Sequence, residues 1–151
     1  MKSARLAAQS RARLDPRLAQ FGPAEQYRAP SRGWIRAIRK ALGMSTTQLA
    51  KRLGVRQPSV FDLERSEEKG TIEVATLRRV AEALNCTLAY ALIPNQPLET
   101  TVRERARALL RQRRQPIEHS MLLEDQDVAE PLSDRQVEDV IRETSPRRFW
   151  D

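Results

Sequence analysis

Residues 44–65 read MSTTQLAKRLGVRQPSVFDLER, and this stretch predicts two short helices joined by a tight turn. Ser45 can cap the first helix. Gln48, three residues later, can reach back to the backbone of Ser45, which is the arrangement called a capping box. Gly54 is expected to end the first helix, because glycine adopts a left-handed backbone without steric cost.

The second helix of the pair is expected to begin at residues 56–58, since proline is tolerated in a first helical turn. Val60 and Leu63 should be buried, with Phe61 as a further candidate, and Val55 should anchor the turn in the core. A helix, a short turn with glycine and a second helix form the geometry that places the second helix in the DNA major groove. The stretch therefore predicts a helix-turn-helix unit.

A reading helix offers polar side chains at its N-terminal end, where the base edges lie. Gln57 could pair with adenine, Arg56 could contact guanine or a phosphate, and Asp62 could accept from cytosine or disfavour other bases. The first helix should point its N-terminus at a phosphate, because free backbone N–H groups attract anions. Any one of these side chains could be an ordinary exposed residue, but the whole arrangement favours DNA contact. The predicted DNA-binding residues are Ser45, Thr46, Thr47, Lys51, Arg56, Gln57, Ser59, Asp62 and Arg65.

The charge of the chain is strongly uneven along its length. The formal net charge is +7, which suggests a polyanionic partner. Residues 1–40 carry ten basic and two acidic side chains, and residues 41–100 carry seven of each. Residues 101–115 hold six arginines and one glutamate, whereas residues 116–151 hold four basic and ten acidic side chains. The acidic tail could fold back on a basic surface or repel DNA, and solvated helix faces remain the plain alternative.

Helical spacing extends the predicted core on both sides of the motif. Residues 34–42 and 73–84 each place apolar side chains on one helical face. After Asn85, the apolar run CTLAYALIP fits either a longer helix or a short strand, and its alternation favours the strand slightly. Such a strand needs a partner, and pairing across a dimer could supply one. We therefore expect an all-α bundle with extra terminal helices and a short strand near residues 86–93.

Further helices are expected toward both termini. Residues 3–20 have helical spacing, and residues 99–115 form a basic helix that Pro116 should break. Ser133 and Gln136 form a second capping box. The predicted organisation has three parts: a basic N-terminal helical extension over 1–32, a helix-turn-helix DNA-binding domain over 33–94 and a C-terminal helical extension over 95–151.

Composition argues against several other classes of protein. The chain has one cysteine and one histidine, so a protein-only zinc site of the common kinds is not expected, and no cofactor is implied. No apolar stretch approaches the roughly 20 residues needed to span a bilayer. The basic N-terminus lacks the apolar core of a secretory signal. We expect a cytoplasmic protein without a membrane partner, and not an enzyme, because the acidic run EDQD at 124–127 fits a solvated loop better than a metal site.

The segment from Trp34 to Leu92 resembles the XRE, or lambda-repressor-like, helix-turn-helix family. The matching motifs are MSTTQLAKRLGV, Gln57, the LER at 63–65 and the TLRRVAEAL at 76–84. Two departures affect the base preference: Arg56 replaces the usual Ser or Thr cap, and Pro58 stiffens the first turn. The resemblance implies double-stranded DNA as a partner and a homodimer as the usual state.

A narrower resemblance covers most of the chain. The segments GWIRAIRKALGMS, NCTLAYALIP, HSMLLEDQ and the terminal FWD look like the group called mobile mystery protein A. That resemblance implies a regulator that is encoded beside a Fic-domain protein and acts as its antitoxin. The sequence therefore leaves two hypotheses for the function. One is a sequence-specific transcriptional regulator, expected to repress its own operon. The other is a protein-interaction module whose main role is to bind and inhibit a partner.

Overall fold

A computed structural model describes residues 2–122 and 131–151, with side chains described except at 115–122. These residues form seven α-helices and contain no strand. The helices are α1 (Lys2–Ala19), α2 (Trp34–Ala41), α3 (Thr46–Leu53), α4 (Gln57–Glu68), α5 (Val74–Ala83), α6 (Leu98–Leu122) and α7 (Asp134–Glu143), with 3₁₀ turns at Ala24–Tyr27 and Pro146–Phe149. The predicted all-α class, with terminal helices beside the helix-turn-helix, is confirmed.

The chain folds into two compact units. The central unit is Glu25–Leu92, and the terminal unit combines Met1–Ala24 with Ile93–Asp151. Both ends of the chain therefore contribute to one unit. The three-part division predicted from the sequence stays a prediction.

Four helices, α2 to α5, enclose the core of the central unit. The fully buried side chains come from every one of these helices: Ile35, Leu49, Ala50, Val60, Val80 and Leu84. Their spacing follows the helical repeat, so each helix turns one apolar stripe inward. The prediction that Val60 is buried is confirmed, and Leu63 packs against the same core.

The terminal unit has a smaller core built from α1, α6, α7 and the last 3₁₀ turn. Ala106, Val137 and Phe149 are buried together at its centre. Ser133 accepts a hydrogen bond from the N–H of Gln136, and the second predicted capping box is confirmed. The guanidinium of Arg105 lies 5.4 Å from the ring centroid of Trp150, which is the geometry of a cation–π contact.

Long-range polar contacts fix the helices of the terminal unit. The carboxylate of Asp15 accepts the backbone N–H groups of Leu98 at 2.8 Å and Glu99 at 3.1 Å, so a side chain of α1 caps α6. Arg103 of α6 contacts Asp134 of α7 at 3.2 Å and Glu138 at 3.5 Å. At least this part of the acidic C-terminal region does fold back on a basic helix.

Two predictions about local structure are wrong. The helix α6 runs from Leu98 to Leu122 without ending at Pro116. A proline inside a helix removes one backbone hydrogen bond and kinks the axis, but turns on both sides can sustain the helix. The predicted strand near residues 86–93 is absent. Over Thr87–Leu92 the backbone makes no backbone–backbone hydrogen bond with any other described residue, and a strand requires such a partner.

Candidate nucleic-acid interface

The start of α3 is built by the capping box predicted from the sequence. The Ser45 Oγ accepts the backbone N–H of Gln48 at 3.1 Å, and the Gln48 Oε1 accepts the backbone N–H of Ser45 at 2.8 Å. Because both groups are satisfied within the cap, the next two N–H groups, those of Thr46 and Thr47, are left at the exposed end of the helix. An anion placed there would also be favoured by the helix dipole.

The turn between α3 and α4 is sharp because Gly54 has φ 68° and ψ 29°. This left-handed conformation ends α3, as predicted, and the Val55 N–H donates to the Ala50 carbonyl at 3.0 Å. The prediction that Val55 anchors the turn in the core is wrong, since its side chain is 38% exposed. The turn is fixed by its backbone hydrogen bonds rather than by burial of this side chain.

The two helix N-termini are linked by one side-chain hydrogen bond. The amide Nε2 of Gln57 donates to the Oγ1 of Thr46 at 3.0 Å. Arg56, directly before α4, makes no capping hydrogen bond, as its replacement of Ser or Thr predicted. Thr46 therefore positions Gln57 at the point where the reading helix begins.

The α4 helix has one face committed to the core and the other open to solvent. With 3.6 residues per turn, the half-buried and buried positions Val60, Leu63, Glu64 and Glu67 share one side. The opposite side carries Pro58, Phe61, Asp62 and Arg65, which are all exposed. This exposed side is called the reading face below.

Phe61 is the largest side chain of the reading face. It is 51% exposed, so its prediction as a core residue is wrong. The spacing Val60, Leu63, Glu64, Glu67 would have placed Phe61 outside the core. The apolar character of Phe61 favours the core, but its helical phase does not.

An internal ion pair fixes α4 against α2. Arg39 and Glu64 are 8% and 6% exposed, and the Nε of Arg39 lies 2.6 Å from the Oε1 of Glu64. A second contact joins Nη2 to Oε2 at 3.3 Å, and Nη1 donates to the Met44 carbonyl at 3.0 Å. The guanidinium therefore ties α4 to the segment that leads into α3.

A second carboxylate of α4 caps the start of α2. The Oε1 of Glu67 accepts the backbone N–H of Trp34 at 2.8 Å, and its Oε2 accepts that of Ile35 at 2.9 Å. Gly33 precedes this cap with φ +84°, and a Cβ there would lie 2.6 Å from the Glu67 Oε2. Only glycine lets the carboxylate approach this closely.

The nine predicted DNA-binding residues all lie on α3, on α4 or at the cap and turn beside them. Thr46 and Ser59 are half-buried and the other seven are exposed. The structure joins only Thr46 and Gln57 directly. Lys51 is exposed, whereas the neighbouring Arg52 donates to the Ala83 carbonyl at 3.2 Å and so closes the end of α5.

Other kinds of site are not evident in the part of the chain that the structure describes. No group of three or more His, Cys, Asp or Glu side chains is arranged there to hold a metal ion. None of the described helices is both long enough and apolar enough to cross a membrane.

Comparison with known proteins agrees with this geometry. A family model described as helix-turn-helix, HTH_3, matches residues 35–90. The match begins at the first turn of α2 and extends past the end of α5. No curated protein and no solved structure matches the chain. Residues 35–90 are therefore a helix-turn-helix domain of the HTH_3 (XRE) type, a kind of domain found in DNA-binding regulators of transcription.

Proposed function

We propose that the protein is a sequence-specific DNA-binding regulator of transcription, and that it represses its own operon. The observation that carries this proposal is the two-sided α4 helix. Its inner side is fixed to α2 by Glu64 and Glu67, and its outer side presents Asp62 and Arg65 beside the exposed N-terminus of α3. A rigid helix with a free polar face next to an anion-attracting helix end fits a major groove and its flanking phosphate.

Each predicted side chain has a distinct role in this proposal. Ser45, Thr46 and Thr47 hold a phosphate at the start of α3. Sequence-independent phosphate contacts come from Lys51 and Arg65, which add affinity but carry no base information. Base contacts come from the remaining residues, Arg56, Gln57, Ser59 and Asp62.

The test is a binding assay on the protein's own upstream DNA across a salt series. Total affinity should fall with salt because neutralised phosphates release counterions, while the preference over scrambled DNA of equal length should persist. A reporter fused to the same upstream region should lose expression when the protein is supplied. Equal affinity for native and scrambled DNA would contradict sequence-specific regulation.

The protein acts as a homodimer in this proposal, since helix-turn-helix proteins usually bind paired half-sites. Residues Thr87–Leu92 support it as a pairing segment. Tyr90 is 74% exposed and Leu92 87% exposed, and the segment makes no backbone–backbone hydrogen bond within the described part of the chain. Two copies related by a two-fold axis could pair this segment with itself in an antiparallel ladder.

Analytical ultracentrifugation with two matched variants tests the dimer. Leu92→Lys would place a charged side chain in the apolar contact between the two copies and should shift the protein toward monomer. Val74→Lys adds the same charge at another exposed apolar site of the central unit and should leave the dimer unchanged. A wild-type protein that stays monomeric at tens of micromolar, or a dimer indifferent to Leu92→Lys, would contradict the proposal.

A second role, as an antitoxin-like partner of a Fic-domain protein, rests on the narrower sequence resemblance and on one structural feature. The terminal unit has a groove of about 310 Å³. Apolar side chains dominate its lining, among them Ala4, Val102, Ile141 and Phe149, and the half-exposed Trp150 stands at its edge. Apolar grooves with an aromatic rim are typical protein-binding surfaces.

Co-expression with the neighbouring gene product, followed by size-exclusion chromatography, tests this second role. A complex that survives the column, and that Trp150→Ala weakens, would agree with it. Separate elution of the two proteins would contradict it without affecting the DNA-binding proposal.

A further inference from the structure

The reading face of α4 includes an apolar patch that the fold does not use. Phe61 lies three positions after Pro58, so the two residues lie on neighbouring turns of the same side of the helix. Both are exposed, and neither belongs to the buried core of the central unit or to the side chains packed against it. The patch is bordered on the same face by Asp62 and Arg65, which are also exposed.

The position of the patch limits what it could contact in a DNA complex. Base edges lie at the N-terminal part of a reading helix, and Pro58 and Phe61 occupy the first and second turns of α4. Of the groups that the four base pairs present in the major groove, the C5-methyl group of thymine offers the largest apolar contact, whereas cytosine has only a C5–H at the same position. The hydrogen-bond donors and acceptors of the other base edges would be left unsatisfied by an aromatic ring and a proline ring.

We propose that Phe61, supported by Pro58, is a specificity-determining residue that selects thymine through its C5-methyl group. The inference rests on the proposed DNA-binding function and adds the base preference that the polar side chains alone do not supply. It also gives a role to Pro58, which departs from the usual family pattern. Its ring adds apolar surface, and proline has no backbone N–H group that would need a hydrogen-bond acceptor.

The carboxylate of Asp62, next to Phe61, adds to the base preference of the patch. Asp62 is exposed and has no described ion-pair partner. A carboxylate can only accept hydrogen bonds, so it disfavours a base that presents acceptors alone, as guanine does with N7 and O6. The apolar patch and Asp62 together favour a half-site in which thymine stands beside adenine or cytosine.

Deoxyuridine substitution tests the proposal directly, because deoxyuridine keeps the pairing edge of thymine and lacks only the methyl group. The probes are duplexes that the wild-type protein selects from a random library, with each thymine replaced singly by deoxyuridine. At one or two positions the replacement should weaken wild-type binding about fourfold, the value expected for one methyl group withdrawn from an apolar contact. At the same positions Phe61→Ala should show no penalty, and Phe61→Leu should keep part of it.

Matched controls separate this result from a general loss of folding or binding. Val74→Ala truncates another exposed apolar side chain of the central unit and should keep the full deoxyuridine penalty. Thermal unfolding of Phe61→Ala should match that of Val74→Ala, since both side chains are about half exposed.

Three outcomes would overturn the inference, and they can be told apart. If the wild-type protein selects a sequence but no deoxyuridine position weakens binding, the methyl contact is refuted and DNA reading stands. If the penalties are the same in wild type and Phe61→Ala, another residue reads the methyl group. If selection yields no preferred sequence, the proposed function fails and the inference fails with it.

Discussion

Breaking the ion pair between Arg39 and Glu64 should strongly lower the free energy of unfolding of the central unit. Both side chains are less than a tenth exposed, and their two contacts are 2.6 and 3.3 Å long. Glu64→Gln leaves the guanidinium buried without a counter-charge, and Arg39→Met leaves the carboxylate in the same condition. Removing one partner of a buried pair typically costs about 3–5 kcal/mol.

That cost is large relative to the stability of so short a unit. At about 0.05–0.15 kcal/mol per residue, Glu25–Leu92 has a free energy of unfolding on the order of 3–10 kcal/mol. Each single variant should therefore lose about 30% or more of this stability. The double variant Arg39→Met/Glu64→Leu buries no charge, and it should fall within about 1.5 kcal/mol of wild type, the residual cost being the Met44 carbonyl that loses its donor.

Urea unfolding followed by tryptophan fluorescence measures these differences. The chain has two tryptophans, so a Trp150→Phe background leaves Trp34 as the reporter of the central unit. Glu68→Gln makes the same chemical change at an exposed position of α4 and should shift stability by no more than about 0.5 kcal/mol. The reasoning is refuted if Glu64→Gln costs no more than Glu68→Gln, or if the double variant is as unstable as Arg39→Met.

Four other substitutions give expected outcomes. Gly33→Ala should cost about 1–3 kcal/mol in thermal unfolding, because its Cβ displaces the Glu67 carboxylate that caps α2 and φ +84° strains an L-residue. Asp15→Ala should cost about 0.5–2 kcal/mol in the terminal unit, since two N–H groups of α6 lose their acceptor, and Asp15→Asn should recover part of it. Lys51→Ala should weaken all DNA sequences alike and lower the salt slope by about 1 in a titration series. Gln57→Ala should relax the preference at one base pair by about 1–3 kcal/mol, measured by competition between single-base variants of the selected duplex.

Local features of this fold could be predicted from the sequence because their causes lie within a few residues. The capping box at Ser45 and the left-handed turn at Gly54 depend on side chains or backbone freedom at neighbouring positions, and both are present. The helical repeat likewise identified Val60 as a core residue. Such features do not depend on contacts with residues that are distant in the sequence.

Features set by distant segments could not be predicted in the same way. The Arg39–Glu64 pair joins residues 25 positions apart, and the Asp15 cap reaches α6 across 83 positions. The residues around a charged side chain do not predict whether it will be buried, because its oppositely charged partner lies far away in the sequence. The same limit explains residues 86–93, whose alternation suits a strand but whose pairing depends on a partner.

Phe61 is an instructive error about the site itself. Residue type suggests burial, whereas helical phase places Phe61 outside the buried stripe that is centred between Val60 and Glu67. A helix that binds a partner with its outer face can carry apolar residues outside its buried stripe. Such residues become buried only when the partner binds. Apolar residues that lie out of phase with the core stripe are therefore candidates for contact, and a purely polar criterion for DNA-reading residues overlooks them.

The charge available to meet phosphate is also different from the count along the sequence. Residues 41–100 carry seven basic and seven acidic side chains and are formally neutral. The compact unit, however, is Glu25–Leu92, and at its surface ten basic side chains are exposed against five acidic ones. Glu64 is neutralised by Arg39 and Glu67 faces the N–H groups of α2, so the two carboxylates that hold the reading helix contribute little repulsion toward DNA. The unit is basic because residues 25–40 add five basic side chains and one acidic side chain to it, and this charge favours binding to the phosphate backbone.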